Sequence, residues 1–284
     1  MNHPMFYVFD IDGTILTTKH QILASTKVAM ALLTQRDSPI MLASARPPLA
    51  MEPIVAELGL EPFYISLNGA LVVRGGNILL DEAMDTQATQ AVIERALQHR
   101  LSVNVYTAWD WFIQEVNPHS TREGEIVGFP AQIRDLATVD RAHKILVIGE
   151  PKEVLALQAE LKAEVPEVVA SRSLSSYLEV VSSGVSKAHA LEVISEIVGI
   201  PLREVVVFGD GENDLPMFKV AGFGVAMGNS HPSLKKHAHL VTGTNDEDGI
   251  LQAVGEILGL EDIKYNRIIS SEDLSKEMKD WDNE

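Results

Sequence analysis

The sequence contains no cysteine, which excludes disulfides, thiolate nucleophiles and cysteine-based zinc sites. Basic residues are also few, since 23 Lys and Arg stand against 40 Asp and Glu and the formal net charge is −17. Such a field repels polyanions, so we expect no nucleic-acid partner. The sequence has no apolar run of the ~18–20 residues that cross a bilayer, and its first residues, MNHPMFYVFD, lack a basic stretch followed by a long apolar one. We therefore expect a soluble, cytoplasmic protein with no membrane partner.

What is present is the composition of a globular protein. The 284 residues are 46% hydrophobic and 22% charged, and the chain is long enough for two domains. Short apolar runs end in polar turns at Asp10, Ser44, Ser66, Asp210 and Gly228. Helix-like stretches lie between them at residues 25–35, 48–58, 186–198 and 214–220. This alternation predicts an α/β fold with a Rossmann-like, doubly wound parallel sheet, whose ligands bind beyond the carboxyl ends of the strands.

Residues 83–184 follow a different, α+β pattern. Helices are predicted at 85–99 and 151–163, and strands at 103–106, 111–116, 143–148, 167–171 and 177–181, with a loop of Pro, Gly and charged residues after 116. We therefore expect a catalytic core formed by residues 1–82 and 185–262, with 83–184 as an inserted cap domain. Residues 263–284 form a polar C-terminal tail.

Two acidic clusters follow predicted strands. Asp10 and Asp12 project to the same side of an extended chain at the end of an apolar run, where an Asx-capped turn is the alternative interpretation. A second cluster, GDGEND at 209–214, also follows an apolar strand and opens a helix. Carboxylates gathered at one sheet edge favour a Mg²⁺ site. Lys187 offers a cation for a phosphoryl group and Ser44 a hydroxyl, although a solvated lysine and a capping serine are the ordinary readings.

Together these segments resemble a known family. FDIDGTIL, LASAR, VSKAHAL and FGDGENDLPMF, in that order, resemble the four motifs of the haloacid dehalogenase superfamily. The triplet Asn68-Gly69-Ala70, the VAMGN segment at 225–229 and the large insertion before Lys187 resemble its Cof-type phosphatases. The resemblance extends over residues 5 to about 255. It implies a Mg²⁺-dependent phosphatase that hydrolyses a small phosphorylated metabolite, such as a sugar phosphate.

The resemblance also implies roles for individual residues. Asp10 would be the nucleophile that forms an aspartyl-phosphate, and Asp12 the general acid and base. The metal site would comprise Asp10, Asp12, Asp210 and Asp214. Asp10, Asp210 and the backbone carbonyl of Asp12 would hold Mg²⁺, and Asp214 with Asn213 would position the metal shell and Lys187. Ser44 would bind the phosphoryl group and Lys187 would balance its charge. The positions expected to face the substrate are Ser44, Arg46, Asn68, Asn213 and Asn229.

The chain departs from the family pattern at Ala45, where glycine is usual, and Ala45 adds a Cβ beside the phosphoryl position. Two other functions remain open. One is a phosphate-binding regulatory protein that has lost turnover, although it would have no need for both Asp10 and Asp12. The other is a phosphoryl transferase with a sugar acceptor in place of water. The sequence leaves open a monomer or a homodimer.

Overall fold

The structure is a computed structural model that describes residues 5–260 of the chain, so the predicted tail at 263–284 lies outside the described residues. Contacts within the chain define two compact units. One contains residues 5–40 and 203–260, and the other contains residues 41–202. In the described part of the chain, we find no helix with the length and apolar character needed to cross a membrane.

The elements alternate as the sequence predicts. The strands are β1 (Phe6–Asp10), β2 (Ile40–Ala43), β3 (Phe63–Ser66), β4 (Leu71–Arg74), β5 (Asn77–Asp81), β6 (Ser102–Tyr106), β7 (Trp111–Ile113), β8 (Gln132–Ile133), β9 (Lys144–Ile148), β10 (Val168–Leu174), β11 (Tyr177–Ser182), β12 (Val205–Gly209), β13 (Phe223–Ala226) and β14 (Leu240–Val241). The helices are α1 (Ala24–Thr34), α2 (Pro48–Glu57), α3 (Thr86–Gln98), α4 (Pro118–Val127), α5 (Pro151–Glu164), α6 (Lys187–Val198), α7 (Leu215–Val220), α8 (Pro232–Lys235) and α9 (Gly249–Ile257).

The first unit is built on parallel strands in the order β14, β13, β12, β1. Every residue of β1 and of β12 is buried, as continuous apolar strands of a parallel sheet require. Helices α1 and α9 pack against each other in this unit. The predicted α/β class with a parallel sheet is confirmed.

The second unit contains β2 and β3, which are parallel, followed by the antiparallel strands β4 and β5. It also contains a six-stranded sheet in the order β10, β11, β9, β6, β7, β8, in which only β7 and β8 are parallel. All six strands, with α3, α4 and α5, fall inside the segment 83–184. The existence of an α+β segment agrees with the sequence pattern, and its separation as a domain stays a prediction.

Several elements were not predicted from the sequence, among them α8, α9, β8 and β14, and helix α4 and the hairpin β4–β5 illustrate the reason. The segment expected to be a loop after residue 116 contains helix α4, which Asn117 opens with a capping box to Ser120 and which ends at Gly128 in the left-handed conformation. Its polar, glycine-containing sequence hides the helical period, while the caps define its ends. The hairpin β4–β5 was also missed; it turns at Gly75 and Gly76, both with positive φ.

Candidate active site

The acidic residues of the first unit meet where β1 and β12 end. Phe9 pairs with Phe208 in parallel register, so Asp10 and Asp210 leave the sheet at the same edge. Carboxylate oxygens of Asp10, Asp210 and Asp214 lie within 4.8 Å of one another. Asp10 and Asp214 are buried, with 5% and 0% of their surface exposed. Three of the four residues predicted for the metal site are therefore brought together.

The loop after β1 lies directly against Asp210. Gly13 has a φ of +84°, a conformation that favours glycine, and a Cβ at this position would also collide with the Asp210 carboxylate. Both the backbone conformation and the close approach therefore require glycine here. The Thr14 hydroxyl lies 3.5 Å from Asp210 Oδ1, and the Asn229 amide nitrogen lies 3.4 Å from Oδ2. One donor therefore faces each oxygen of the Asp210 carboxylate.

Asp214 shapes the loop that carries Asp210. Its Oδ2 accepts hydrogen bonds from the backbone N–H groups of Asp210, at 3.1 Å, and Gly211, at 3.0 Å. A Cβ at Gly209 would lie only 2.6 Å from the same oxygen, so the strand end and the Asp214 side chain are closely packed. Asp214 thus fixes the path of the chain from β12 to α7.

This donor set suits a hard divalent cation. Three carboxylates so close repel one another unless positive charge lies among them, and oxygen ligands are those that Mg²⁺ prefers. The cluster is therefore a candidate metal site. Among residues 5–260, the acidic group does not include the Asp12 side chain, which is exposed. For Asp12 the family resemblance implies metal binding through the backbone carbonyl.

The predicted phosphate-binding residues lie in the second unit. Ser44 and Lys187 are buried, with 1% and 2% exposed, while Arg46 and Asn68 are half-buried. Ser44 Oγ accepts from the Arg46 N–H at 3.1 Å, and the Ser44 carbonyl accepts from the Asn68 N–H at 3.1 Å. The loops after β2 and β3 are thereby bound to each other.

Lys187 begins helix α6 beside the same loops. A Cβ at Gly69 would collide with the Ser186 carbonyl, so the turn at Asn68 and Gly69 packs against the start of α6. Ser186 caps this helix by accepting from the His189 N–H at 3.1 Å. The second unit therefore brings the segments that carry Ser44, Asn68 and Lys187 together.

Asn213 and Asn229, in the first unit, are both exposed. Asn213 lies in the short 3-10 turn Glu212–Asp214. Asn229 donates from Nδ2 to the Gly13 carbonyl at 2.8 Å, so its side chain contacts the loop after β1. Their predicted contact with substrate stays a prediction.

Two functional candidates in the segment 83–184 were missed by the sequence analysis. Lys144 Nζ donates to the Ala45 carbonyl at 2.6 Å and lies 5.2 Å from the centre of the Tyr106 ring. Asn68 Nδ2 donates to the Glu179 carboxylate. The cap segment thus contacts the loops after β2 and β3 within this unit. The signal in the sequence was Lys144 itself, a charged residue in an otherwise apolar predicted strand. In the structure only 4% of the Lys144 surface is exposed.

The strand register explains why these side chains share a face. Lys144 lies opposite Tyr106, and Glu179 opposite Leu146 two positions further along β9. Residues at alternate positions, such as Ile145 and Val180, belong instead to the hydrophobic core that α3 and α5 cover. One face of the sheet is therefore apolar and covered by helices, and the other carries Tyr106, Lys144 and Glu179.

Tyr106 is fixed on this face by burial. Burial first, and then the neighbouring Glu123 carboxylate, raise the pKa of Tyr106 well above its usual value. The phenol therefore stays protonated and donates to Glu123 at 2.8 Å. Its ring provides a rigid support for the Lys144 ammonium.

Comparison with known proteins agrees with this geometry. Residues 7–254 match the family described as haloacid dehalogenase-like hydrolase. A Haemophilus influenzae protein assigned as a phosphatase is 31% identical over 247 residues, which cover 85% of this chain and 93% of that protein. The HMP-PP phosphatase of Citrobacter koseri is 31% identical over 231 residues, which cover 80% of this chain and 85% of that protein. A solved structure, a haloacid dehalogenase-like hydrolase from Bacteroides thetaiotaomicron, is 28% identical with a TM-score of 0.84 over 90% of this chain and 100% of its own.

Proposed function

The chain belongs to the haloacid dehalogenase-like hydrolases, and we propose that it is a Mg²⁺-dependent phosphatase that hydrolyses a small phosphorylated metabolite through an aspartyl-phosphate. The observation that carries the proposal is the group formed by Asp10, Asp210 and Asp214 at the ends of β1 and β12. The phosphatase names of relatives that are 31% identical support the same reaction class.

In the proposed reaction, a carboxylate oxygen of Asp10 attacks phosphorus as the bond from phosphorus to the leaving oxygen breaks. Asp12 gives its proton to that oxygen, so the alcohol departs neutral. A water molecule then attacks the phosphorus of the aspartyl-phosphate and gives a proton to Asp12. Inorganic phosphate leaves, and Asp10 is restored as a carboxylate.

Asp10, Asp210, Asp214 and the backbone carbonyl of Asp12 would hold Mg²⁺. When bound, the cation would neutralise the charge of the carboxylates and of the phosphoryl oxygens. For Ser44 and Lys187, the family resemblance supports binding of the phosphoryl group and balance of its charge. Both are buried, which limits competition from bulk water.

We assign the choice of substrate to the segment 83–184. A phosphoryl group is common to every phosphate monoester, so discrimination requires contacts with the leaving group. Lys144 and Glu179 support this assignment, because both project from the polar face of the six-stranded sheet to the loops of Ala45 and Asn68. They supply one cation and one anion for recognising polar substituents.

Hydrolysis of a panel of phosphate esters tests the reaction. Sugar phosphates, nucleotides, and pyridoxal and flavin phosphates are assayed with Mg²⁺, after EDTA, and after Mg²⁺ is restored, with release of inorganic phosphate as the readout. We expect activity that EDTA abolishes and Mg²⁺ restores. Full activity after exhaustive chelation would reject the metal, and transfer to added sugars without phosphate release would identify a transferase.

A further inference from the structure

The side chain of Asn229 links the two strand-end loops of the metal site. Its Nδ2 donates to the Gly13 carbonyl at 2.8 Å and reaches Asp210 Oδ2 at 3.4 Å. Its Oδ1 accepts from the backbone N–H of Asn245 at 3.1 Å. Because an N–H group faces one end of the amide, that end must be the oxygen, and the nitrogen therefore faces Gly13 and Asp210.

Asn245 anchors this arrangement. Its side chain is buried, with 6% of the residue exposed, and Nδ2 donates to the Leu16 carbonyl at 2.8 Å. Backbone and side chain of Asn245 thus bind two different partners, Asn229 and the loop after β1. The chain of hydrogen bonds starts in that loop, passes through Asn245 and Asn229, and returns to Gly13 beside Asp210.

We propose that Asn229 is a positioning residue for the metal site, which orients the Asp210 carboxylate and holds the loop of Gly13 against it. The inference rests on the proposed function, because it requires that Asp210 binds Mg²⁺. An N–H donor beside Oδ2, with the Thr14 hydroxyl beside Oδ1, restricts rotation of this carboxylate. Residues that orient a metal ligand in this way commonly change metal affinity about 10- to 100-fold when removed.

The two asparagines allow this role to be separated from a structural one. Asn229→Ala frees the Asn245 backbone N–H and the Gly13 carbonyl, but Asn229 is exposed, so water can reach both groups once its side chain is removed. The Asn245 side chain is buried, and its loss takes the donor away from the Leu16 carbonyl in buried surroundings. Asn245→Ala retains the backbone N–H that binds Asn229. We therefore expect Asn229 to act on the metal and the Asn245 side chain to act on stability.

The test compares the wild-type protein, Asn229→Ala and Asn245→Ala. Mg²⁺ binding to the chelated proteins is measured by titration calorimetry, and unfolding midpoints are measured by urea denaturation in EDTA. For Asn229→Ala we expect a Kd for Mg²⁺ raised about tenfold, with a midpoint lowered less than in Asn245→Ala. For Asn245→Ala we expect a lower midpoint with a Kd within about twofold of wild type.

Other results overturn the inference. Asn229→Ala with unchanged Mg²⁺ affinity and a raised KM for a phosphorylated substrate would show that Asn229 faces the substrate. Unchanged affinity with a midpoint lowered as far as in Asn245→Ala would show a structural role alone. A wild-type protein that neither binds Mg²⁺ nor hydrolyses phosphate esters would remove the proposed function, and the inference with it.

Discussion

Replacing Asp214 separates its two contributions to the site. In Asp214→Ala, the backbone N–H groups of Asp210 and Gly211 lose the oxygen that accepts both. A buried donor left without a partner costs about 1–3 kcal/mol, so two cost about 2–6 kcal/mol. Asp210 and Gly211 are only half-buried, so water can reach the freed groups. The free energy of unfolding should therefore fall by about 2–3 kcal/mol.

Asp214→Asn is the matched control because its amide oxygen can still accept these bonds. Hydrogen bonds to an ionised acceptor are about twice as strong as neutral ones, so in Asp214→Asn we expect the free energy of unfolding to fall by only about 1 kcal/mol. Both variants lose the negative charge, so both should bind Mg²⁺ more weakly. Urea denaturation in EDTA measures the free energy of unfolding without the metal. Equal destabilisation by alanine and asparagine would refute the assignment of these two hydrogen bonds to loop stability.

Three further predictions concern the chemistry, the cap segment and pH. Asp10→Asn should abolish turnover, whereas Asp12→Asn keeps the nucleophile and should lower the rate of hydrolysis about 10²–10⁴-fold. Equal rates for the two variants on p-nitrophenyl phosphate, an activated ester, would contradict this division of roles. Lys144→Met should lower kcat/KM for the preferred metabolite about tenfold or more, since hydrogen bonds from a charged group are worth about 1.5–3 kcal/mol. Hydrolysis of p-nitrophenyl phosphate should fall less, and an equal loss on both substrates would argue against a role in selecting the leaving group. Hydrogen bonds to Glu153 and then Glu160 raise the pKa of His99 above 6.5, so its contribution to stability is complete below pH 6.5 and is lost as pH rises through the raised value. His99→Gln should remove that decline from a series of urea midpoints, and an unchanged pH profile would show that the decline has another source.

Much of the fold could be predicted because the strands of the parallel sheet are continuous apolar runs. An unbroken apolar run predicts a strand that is buried on both faces, and both faces of β1 and β12 are buried in the structure. Helix α4 could not be predicted in this way, because its sequence is polar and contains glycine, and only the caps at Asn117 and Gly128 mark its ends. The hairpin β4–β5 was missed for a related reason, since its turn depends on two glycines with positive φ.

The sequence by itself determined that Asp10 and Asp210 meet. Asp10 is the last residue of β1 and Asp210 the first residue after β12, and parallel strands end at the same edge. The tertiary structure alone decided which further side chains support the sites. Lys144 and Ala45 are 99 residues apart, and Asn68 and Glu179 are 111 residues apart. No local pattern in the sequence predicts such pairs, because they form only after whole helices and strands have packed together.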